Sequence, residues 1–240
     1  MSAGPRTVLV VGGTGGLGGA IASAYADAED AHVTVTGATQ AEVDVALDDP
    51  RLGRAKVELL DVRDDEAVKK VIAGFSSIDV LVNAAGISAS PADFTVEGFT
   101  RSIDINVLGT MRACFAAQPL LEASRGCIIN FASMMSYRGS ATGPAYAAGK
   151  GAILQLTTSL AAAWGPHIRV NAIAPGFMDT PMTKNIQADL ARNEKILGRI
   201  PGGHWGAPEA LISAAFFLSS PDSGYVTGIT VPVDGGYLTT

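Results

Sequence analysis

Seven short runs of β-branched and other apolar residues recur along the chain, at 7–11, 32–36, 56–60, 78–82, 127–131, 168–172 and 229–233. Several of them, such as VLVV at 8–11 and DVLVN at 79–83, are apolar without alternation, the pattern of strands buried on both faces. Between the runs lie helically spaced, largely Ala-rich stretches at 17–29, 64–74, 96–121, 145–164 and 208–219. Strand followed by helix, repeated from end to end, predicts an α/β protein. Its core would be a doubly wound, Rossmann-type parallel sheet of about seven strands with helices on both faces.

No linker divides this pattern. Gly and Pro sit at element ends, no low-complexity tract interrupts the chain, and residues 1–240 read as a single domain. One long stretch, 175–208, lacks strand character and mixes Met, Lys, Arg and Gly around a short helical pattern. A connection of that length in a compact domain is usually functional, and it is expected to be a flexible substrate flap.

Composition narrows the function classes. The 240 residues are 48% hydrophobic and 17% charged, with a net charge of −6 and no basic block, which argues against a nucleic-acid partner. No apolar run approaches the roughly 18 residues of a membrane span. TVLVVGG, at 7–13, is too short for a secretory core and reads as a strand, so a cytoplasmic location is expected. Cys114 and Cys127 lie in apolar surroundings without metal-like spacing. His32, His167 and His204 have no paired acid or ligand in sequence, so no metal site is expected.

The first strand runs into GGTGGLGG, residues 12–19. Gly12, Gly16 and Gly18 would allow a tight turn and close backbone approach to a pyrophosphate at a helix N-terminus. The second strand ends VTVTGATQ. Gly37 therefore stands where an acid would bind the adenine-side ribose, and neither Ala38 nor the glycine loop supplies a cation for a 2′-phosphate. NAD is the expected cofactor, with NADP not excluded. Asp61, after the third strand, would contact the adenine amino group or cap the helix that follows. NAAG at 83–86 offers small residues for close approach, and Asn83 could tie neighbouring strands. In AYAAGK, 145–150, Tyr146 and Lys150 are one helical turn apart and share a face among small residues. An ammonium beside a phenol would favour phenolate and make the tyrosine a usable acid/base.

With GGTGGLG, NAAG, DINVLGT (104–110), INFAS (129–133), YAAGK, NAIAPGFMDTPM (171–182) and GITVPVDGG (228–236) in this order, the chain resembles the short-chain dehydrogenase/reductase family over residues 6 to 238. The resemblance implies hydride transfer between a nicotinamide cofactor and a secondary alcohol or ketone. It assigns Ser133, Tyr146, Lys150 and Asn106 to catalysis: Tyr146 as acid/base, Lys150 on the phenol and the ribose, Ser133 on the substrate oxygen, Asn106 holding a proton-relaying water. Cofactor contacts are expected from Gly12, Thr14, Gly15, Gly16, Leu17, Gly18, Gly37, Asp61, Val62, Asn83, Ala84, Ala85, Gly86, Tyr146, Lys150, Pro175, Gly176, Met178 and Thr180. Val11 departs from the family, which usually has threonine there.

Substrate contacts are expected from Ser133, Met135, Arg138, Tyr146 and Phe177, with Met134, Tyr137, Met182, Lys184, Arg192 and Arg199 as further candidates. INFASMMSYRG (129–139) and ILGRIPGGHWGAPE (196–209) are most similar to the sugar-acid branch of the family, the 2-deoxygluconate, 2-dehydro-3-deoxygluconate and gluconate 5-dehydrogenases. A 3-oxoacyl-thioester reductase and a reductase of alicyclic or aromatic ketones are the other enzyme readings. A nucleotide-sensing protein is the non-enzyme one, against which Ser133, Tyr146 and Lys150 all stand. A homotetramer, or at least a homodimer, is expected on the two long helices, since 150–164 is largely apolar.

Overall fold

The computed structural model describes residues 4–28 and 30–240. Its elements are β1 (Arg6–Val11), α1 (Gly16–Asp27), β2 (Ala31–Gly37), α2 (Gln40–Leu47), β3 (Lys56–Leu59), α3 (Asp65–Ala73), β4 (Val80–Asn83), α4 (Val96–Ile103), α5 (Gly109–Ser124), β5 (Cys127–Phe131), α6 (Pro144–Trp164), β6 (Arg169–Pro175), α7 (Lys184–Ala188), α8 (Leu190–Leu197), α9 (Ile212–Ser219) and β7 (Thr230–Val233). The strands form one parallel sheet in the order β3-β2-β1-β4-β5-β6-β7. This is the doubly wound, single-domain arrangement expected, and β1 and β4 flank the point where the order reverses.

Successive strand residues point to opposite faces, so a continuous apolar run serves two cores. Val8, Val10, Val33, Val35, Val80 and Val82 meet α1 and α9 through Ile21, Tyr25, Leu211 and Leu218. Leu9, Val11, Leu81, Ile128 and Val170 meet α3, α5 and α6 through Val68, Ile72, Ala117, Leu121 and Leu160. Each such side chain fully buried contributes about 1.5–3 kcal/mol.

Several expected boundaries shift. The fourth strand starts at Val80 rather than 78, because the Asp79 carboxylate takes the Thr7 N–H at 2.7 Å at the sheet entrance. The sixth continues to Pro175, which pairs with Val233. Helix α2 was not expected, and the stretch 96–121 is three pieces: α4, a π-turn over Asp104–Leu108, and α5. The helix expected over 17–29 ends at Asp27, and position 29, like positions 1–3 of the expected domain, lies outside the described residues. The segment expected as a flap holds α7, α8 and a bridge between Met178 and Gly206. Among the described residues no helix is long and apolar enough to cross a membrane, and no cluster of His, Cys, Asp or Glu could hold a metal.

Candidate active site

The loops leaving β1, β4, β5 and β6 meet at the carboxyl edge of the sheet, the place where open α/β sheets bind ligands. Gly12 has φ +80°, and a Cβ there would lie 2.4 Å from Ala85 N. A Cβ on Gly18 would lie 2.3 Å from Gly12 O. Loop, helix and the NAAG segment therefore touch backbone to backbone. The Gly12 N–H donates to Thr36 Oγ1 at 3.2 Å, while Val11 is buried among Leu9, Val62 and Leu81. A hydroxyl from β2 thus anchors the loop where the family's threonine is missing. Helix α1 starts at Gly15, with no side-chain cap and no acid in its first turn. Its free N–H groups and positive helix end suit an anionic diphosphate. The protein's own residues fit the dinucleotide implied by the motif.

Asn83 and Asn130 face each other across β4 and β5, joined by a 2.9 Å Nδ2–Oδ1 bond, and Asn130 continues to Thr157 Oγ1 on α6 at 3.0 Å. Asn83 ties the strands as expected. Asn106 sits in the π-turn and is 1% exposed. Its Oδ1 accepts the Ile87 N–H at 2.9 Å, and its Nδ2 donates to Ile87 O and Ser102 Oγ, each at 3.2 Å. The side chain expected to hold a water thus has both amide hydrogens and one lone pair of its oxygen engaged, by Ile87 in the loop after β4 and Ser102 on α4. Gly86 has no room for a side chain, since a Cβ would meet Asn106 Oδ1 at 2.7 Å.

Ser133 caps the turn after β5, with its Oγ accepting the Met135 N–H at 3.1 Å. Tyr146 and Lys150 share one face of α6, and the ammonium lies 5.8 Å from the centre of the phenol ring. Lys150 is buried and donates to Phe131 O at 2.7 Å. Among the described residues it has no carboxylate within ion-pair distance. Burial pushes its pKa down to about 8. The Tyr146 phenol moves the other way: burial raises it, and the Ser133 side chain only partly offsets this. The lowering expected from Lys150 is therefore not seen among the protein's own groups, because desolvation outweighs an ammonium directed at a backbone carbonyl.

On the adenine side, a Cβ on Gly37 would lie 2.9 Å from Thr14 Cγ2. The Asp61 carboxylate is held bidentately by Arg63, at 3.0 and 2.5 Å, which keeps it below the usual carboxylate range. The capping alternative for Asp61 fails, since α3 is capped by Asp64 through the Ala67 N–H at 3.0 Å. Val62 packs against Gly109 at the start of α5. Pro175, Met178 and Thr180 are buried where β6 leaves the sheet, and Gly176 closes on Asp234.

Residues 12–238 match the family model described as "Enoyl-(Acyl carrier protein) reductase". The 2-dehydro-3-deoxy-D-gluconate 5-dehydrogenase of Bacillus subtilis (strain 168) is 38% identical over 97% of this chain and 94% of its own. The chain belongs to the short-chain dehydrogenase/reductase family. The 3-oxoacyl-(acyl-carrier-protein) reductase of Chlamydia muridarum is 36% identical over 96% of each chain. Among solved structures, a gluconate 5-dehydrogenase from Burkholderia cenocepacia J2315 in complex with NADP and tartrate superposes with a TM-score of 0.90. It is 31% identical, over 99% of this chain and 96% of that one.

Short-chain dehydrogenases/reductases are NAD(P)-dependent oxidoreductases acting on CH–OH groups, and in this member an apolar cluster begins at the residue after Ser133. Met134, Met135, Phe177, Ile196, Ile200, Trp205 and Tyr237 belong to it. Phe177 meets the rings of Trp205 and Tyr237 edge-on, each at 5.2 Å. The guanidiniums of Arg138 and Arg199 lie 5.7 and 4.3 Å from the centre of the Tyr237 ring, and both donate to Thr240 O. Lys184 is paired with Asp179 at 2.7 Å, Met182 and Tyr137 are exposed, and Arg192 stands on the outer side of α8. His204 bonds Trp205 O, and His32 and His167 are exposed. Motif reading missed Asp93, whose Oδ2 accepts the Tyr146 N–H at 3.0 Å. Its only signal was the Ser-Pro-x-Asp capping pattern at 90–93. Tyr237 carried no signal at all.

Proposed function

We propose that the chain is an NAD-dependent dehydrogenase of a hydroxylated or keto sugar acid, with Ser133, Tyr146 and Lys150 as its catalytic residues and Asn106 as their support. The observation that carries the reading is Lys150: a buried ammonium with no carboxylate within ion-pair distance among the described residues, one helical turn from Tyr146 and bonded to a backbone carbonyl. A structural lysine would be paired or solvated. This one spends a single N–H on Phe131 O and keeps two for the phenol oxygen and a ribose.

When bound, NAD accepts the hydride from the carbinol carbon. The remaining work falls to the side chains. As the phenolate, which the Lys150 ammonium and the positive nicotinamide of oxidised NAD would favour, Tyr146 takes the hydroxyl proton as the C–H electron pair leaves as hydride, and the C–O bond becomes a carbonyl. The reverse direction returns that proton to the alkoxide, a task suited to a phenol that burial holds protonated. Ser133 Oγ has an accepting lone pair committed to Met135 N–H, so its hydroxyl proton is available to the substrate oxygen. Asn106 fixes the loop from Gly86 to Ile87 at the floor of the site.

For the substrate, the sugar-acid names of the relatives agree with two arginines set against an aromatic wall. An Arg fork gives a carboxylate both charge and orientation. The segment from Pro175 to Pro208, which supplies Phe177, Ile196, Ile200 and Trp205 to that wall, is the proposed lid of the site. A homotetramer or homodimer on α5 and α6 is supported by Phe115, 51% exposed and stacked edge-on against Trp164 at 5.9 Å. We also place the protein in the cytoplasm, a compartment in which two buried cysteines that form no disulfide stay reduced.

The test is a panel of gluconate, 2-deoxygluconate, 3-deoxy-2-keto acids, cyclic alcohols and acyl-thioester analogues, followed by the absorbance of the reduced nicotinamide. Turnover of the sugar acids is expected. Turnover confined to apolar cyclic alcohols or acyl thioesters would remove the substrate class and leave the catalytic residues in place.

A further inference from the structure

The adenine-side corner holds an acid that the motifs do not use. Glu42 lies in the first turn of α2, and its Oε2 accepts the Ala38 N–H at 2.7 Å. Helix capping alone does not require this, because Thr39 is the cap and its hydroxyl already takes the Glu42 N–H at 3.3 Å. The carboxylate reaches one residue beyond the cap, over the end of β2. A Cβ on Gly37 would meet the Glu42 Cβ at 3.1 Å. A side chain at 37 and that of Glu42 therefore compete for one space, and the glycine is what lets Glu42 occupy it.

The charge there is uncompensated. Among the described residues Glu42 has no cation within ion-pair distance, and Arg63, in the turn after β3 on the same edge of the sheet, is locked onto Asp61. Lys56, on β3, is paired with Glu58 at 2.5 Å.

We propose that Glu42 is the specificity-determining residue for the dinucleotide, doing from α2 what an acid at the end of β2 would do. Its carboxylate accepts the ribose hydroxyls of NAD and repels the 2′-phosphate of NADP. The phosphate brings nearly two negative charges, and the Ala38 N–H that could have received it is already bonded. The inference rests on the dinucleotide reading above and sets this chain apart from its NADP-bound neighbour.

The test is calorimetric titration of the whole protein with ADP-ribose and with 2′-phospho-ADP-ribose, for the wild type, Glu42→Gln and Glu42→Ala. Glu42→Gln keeps an acceptor for Ala38 N–H and removes only the charge. The wild type should prefer the unphosphorylated ligand by about tenfold or more, and Glu42→Gln should narrow that ratio by about fivefold, chiefly through tighter binding of the phosphorylated ligand. Raising ionic strength from about 0.05 to about 0.5 M should narrow the wild-type ratio and leave that of Glu42→Gln nearly unchanged, because only the former contains a repulsion to screen. The kcat/KM ratio for NAD and NADP should follow. Equal ratios in wild type and Glu42→Gln, or a wild-type preference for the phosphorylated ligand, would overturn the assignment of Glu42 alone. Binding of neither ligand would overturn the dinucleotide reading and this inference together.

Discussion

The Asp93 carboxylate caps the helix that carries Tyr146: its Oδ2 accepts the Tyr146 N–H at 3.0 Å, while Oδ1 accepts the Ser90 N–H at 3.1 Å and the Ser90 hydroxyl at 3.2 Å. The helix begins at Gly143, which has no side chain to do this. A Cβ on Gly143 would strike Ala89 Cβ at 2.1 Å, so the loop and the helix start are packed as one unit. Asp93 is a positioning residue, tying the loop after β4 to the first turn of α6. Asp93→Ala should lower stability by about 1–3 kcal/mol by stranding three donors and should reduce kcat more than it raises KM. Urea unfolding together with steady-state kinetics checks both, and an unchanged kcat would show that Tyr146 is held without it.

Tyr146→Phe keeps the ring and removes the proton. Turnover should fall by about a hundredfold or more, while calorimetric affinity for NAD stays close to wild type because the ring still fills its place. A variant that retained wild-type turnover would strip Tyr146 of the acid/base role.

Lys150 couples function to a cost in stability. The unfolded lysine titrates at the ordinary value of 10.5, and burial brings the folded one down to about 8. Between those values the unfolded chain holds more protons, so stability should rise as pH is raised through that window, by as much as about 3 kcal/mol across it. Lys150→Met removes the buried charge at similar volume. It should unfold at higher urea than wild type at pH 7, show no such rise, and lose turnover. Parallel urea titrations at several pH values test this; a wild-type curve flat through the window would contradict the buried-ammonium assignment.

Two glycines of one loop should behave differently. A methyl at Gly18 would press on Gly12 O, whereas a Cβ at Gly15 meets nothing within 4 Å. Gly18→Ala should weaken NAD binding by about tenfold or more and lower Tm, a penalty expected where overpacking meets backbone. Gly15→Ala should fold normally with a much smaller loss of affinity. Equal losses from the two would mean that the loop is held by something other than this contact.

The sheet was legible because its central strands are buried on both faces, which leaves unbroken runs such as Val8–Val11 and Val80–Val82. Helix α2 was not, since only Val43 and Ala46 of its eight residues are buried and its apolar stripe is nearly absent. The stretch 96–121 reads as one helix in sequence because each half is helical by itself; a π-turn adds a residue without altering composition. Ser133, Tyr146, Lys150 and Asn106 were legible through motif and spacing. Asp93 and Glu42 were not, because each acts on a backbone N–H across a turn that only the folded chain brings within reach. Spacing gave the neighbour of Tyr146, whereas the desolvation that raises its phenol among the protein's own groups comes from packing.

The backbone contacts among Gly12, Gly18 and Ala85 leave no atom's width in which to add a side chain, whereas Gly15, Ala38 and Glu42 stand at an open margin. Heritable change at this site is therefore channelled. A lineage descending from this protein can vary the margin by single substitutions, but it cannot shift the seat beside it without rebuilding the contact between the ends of two neighbouring parallel strands.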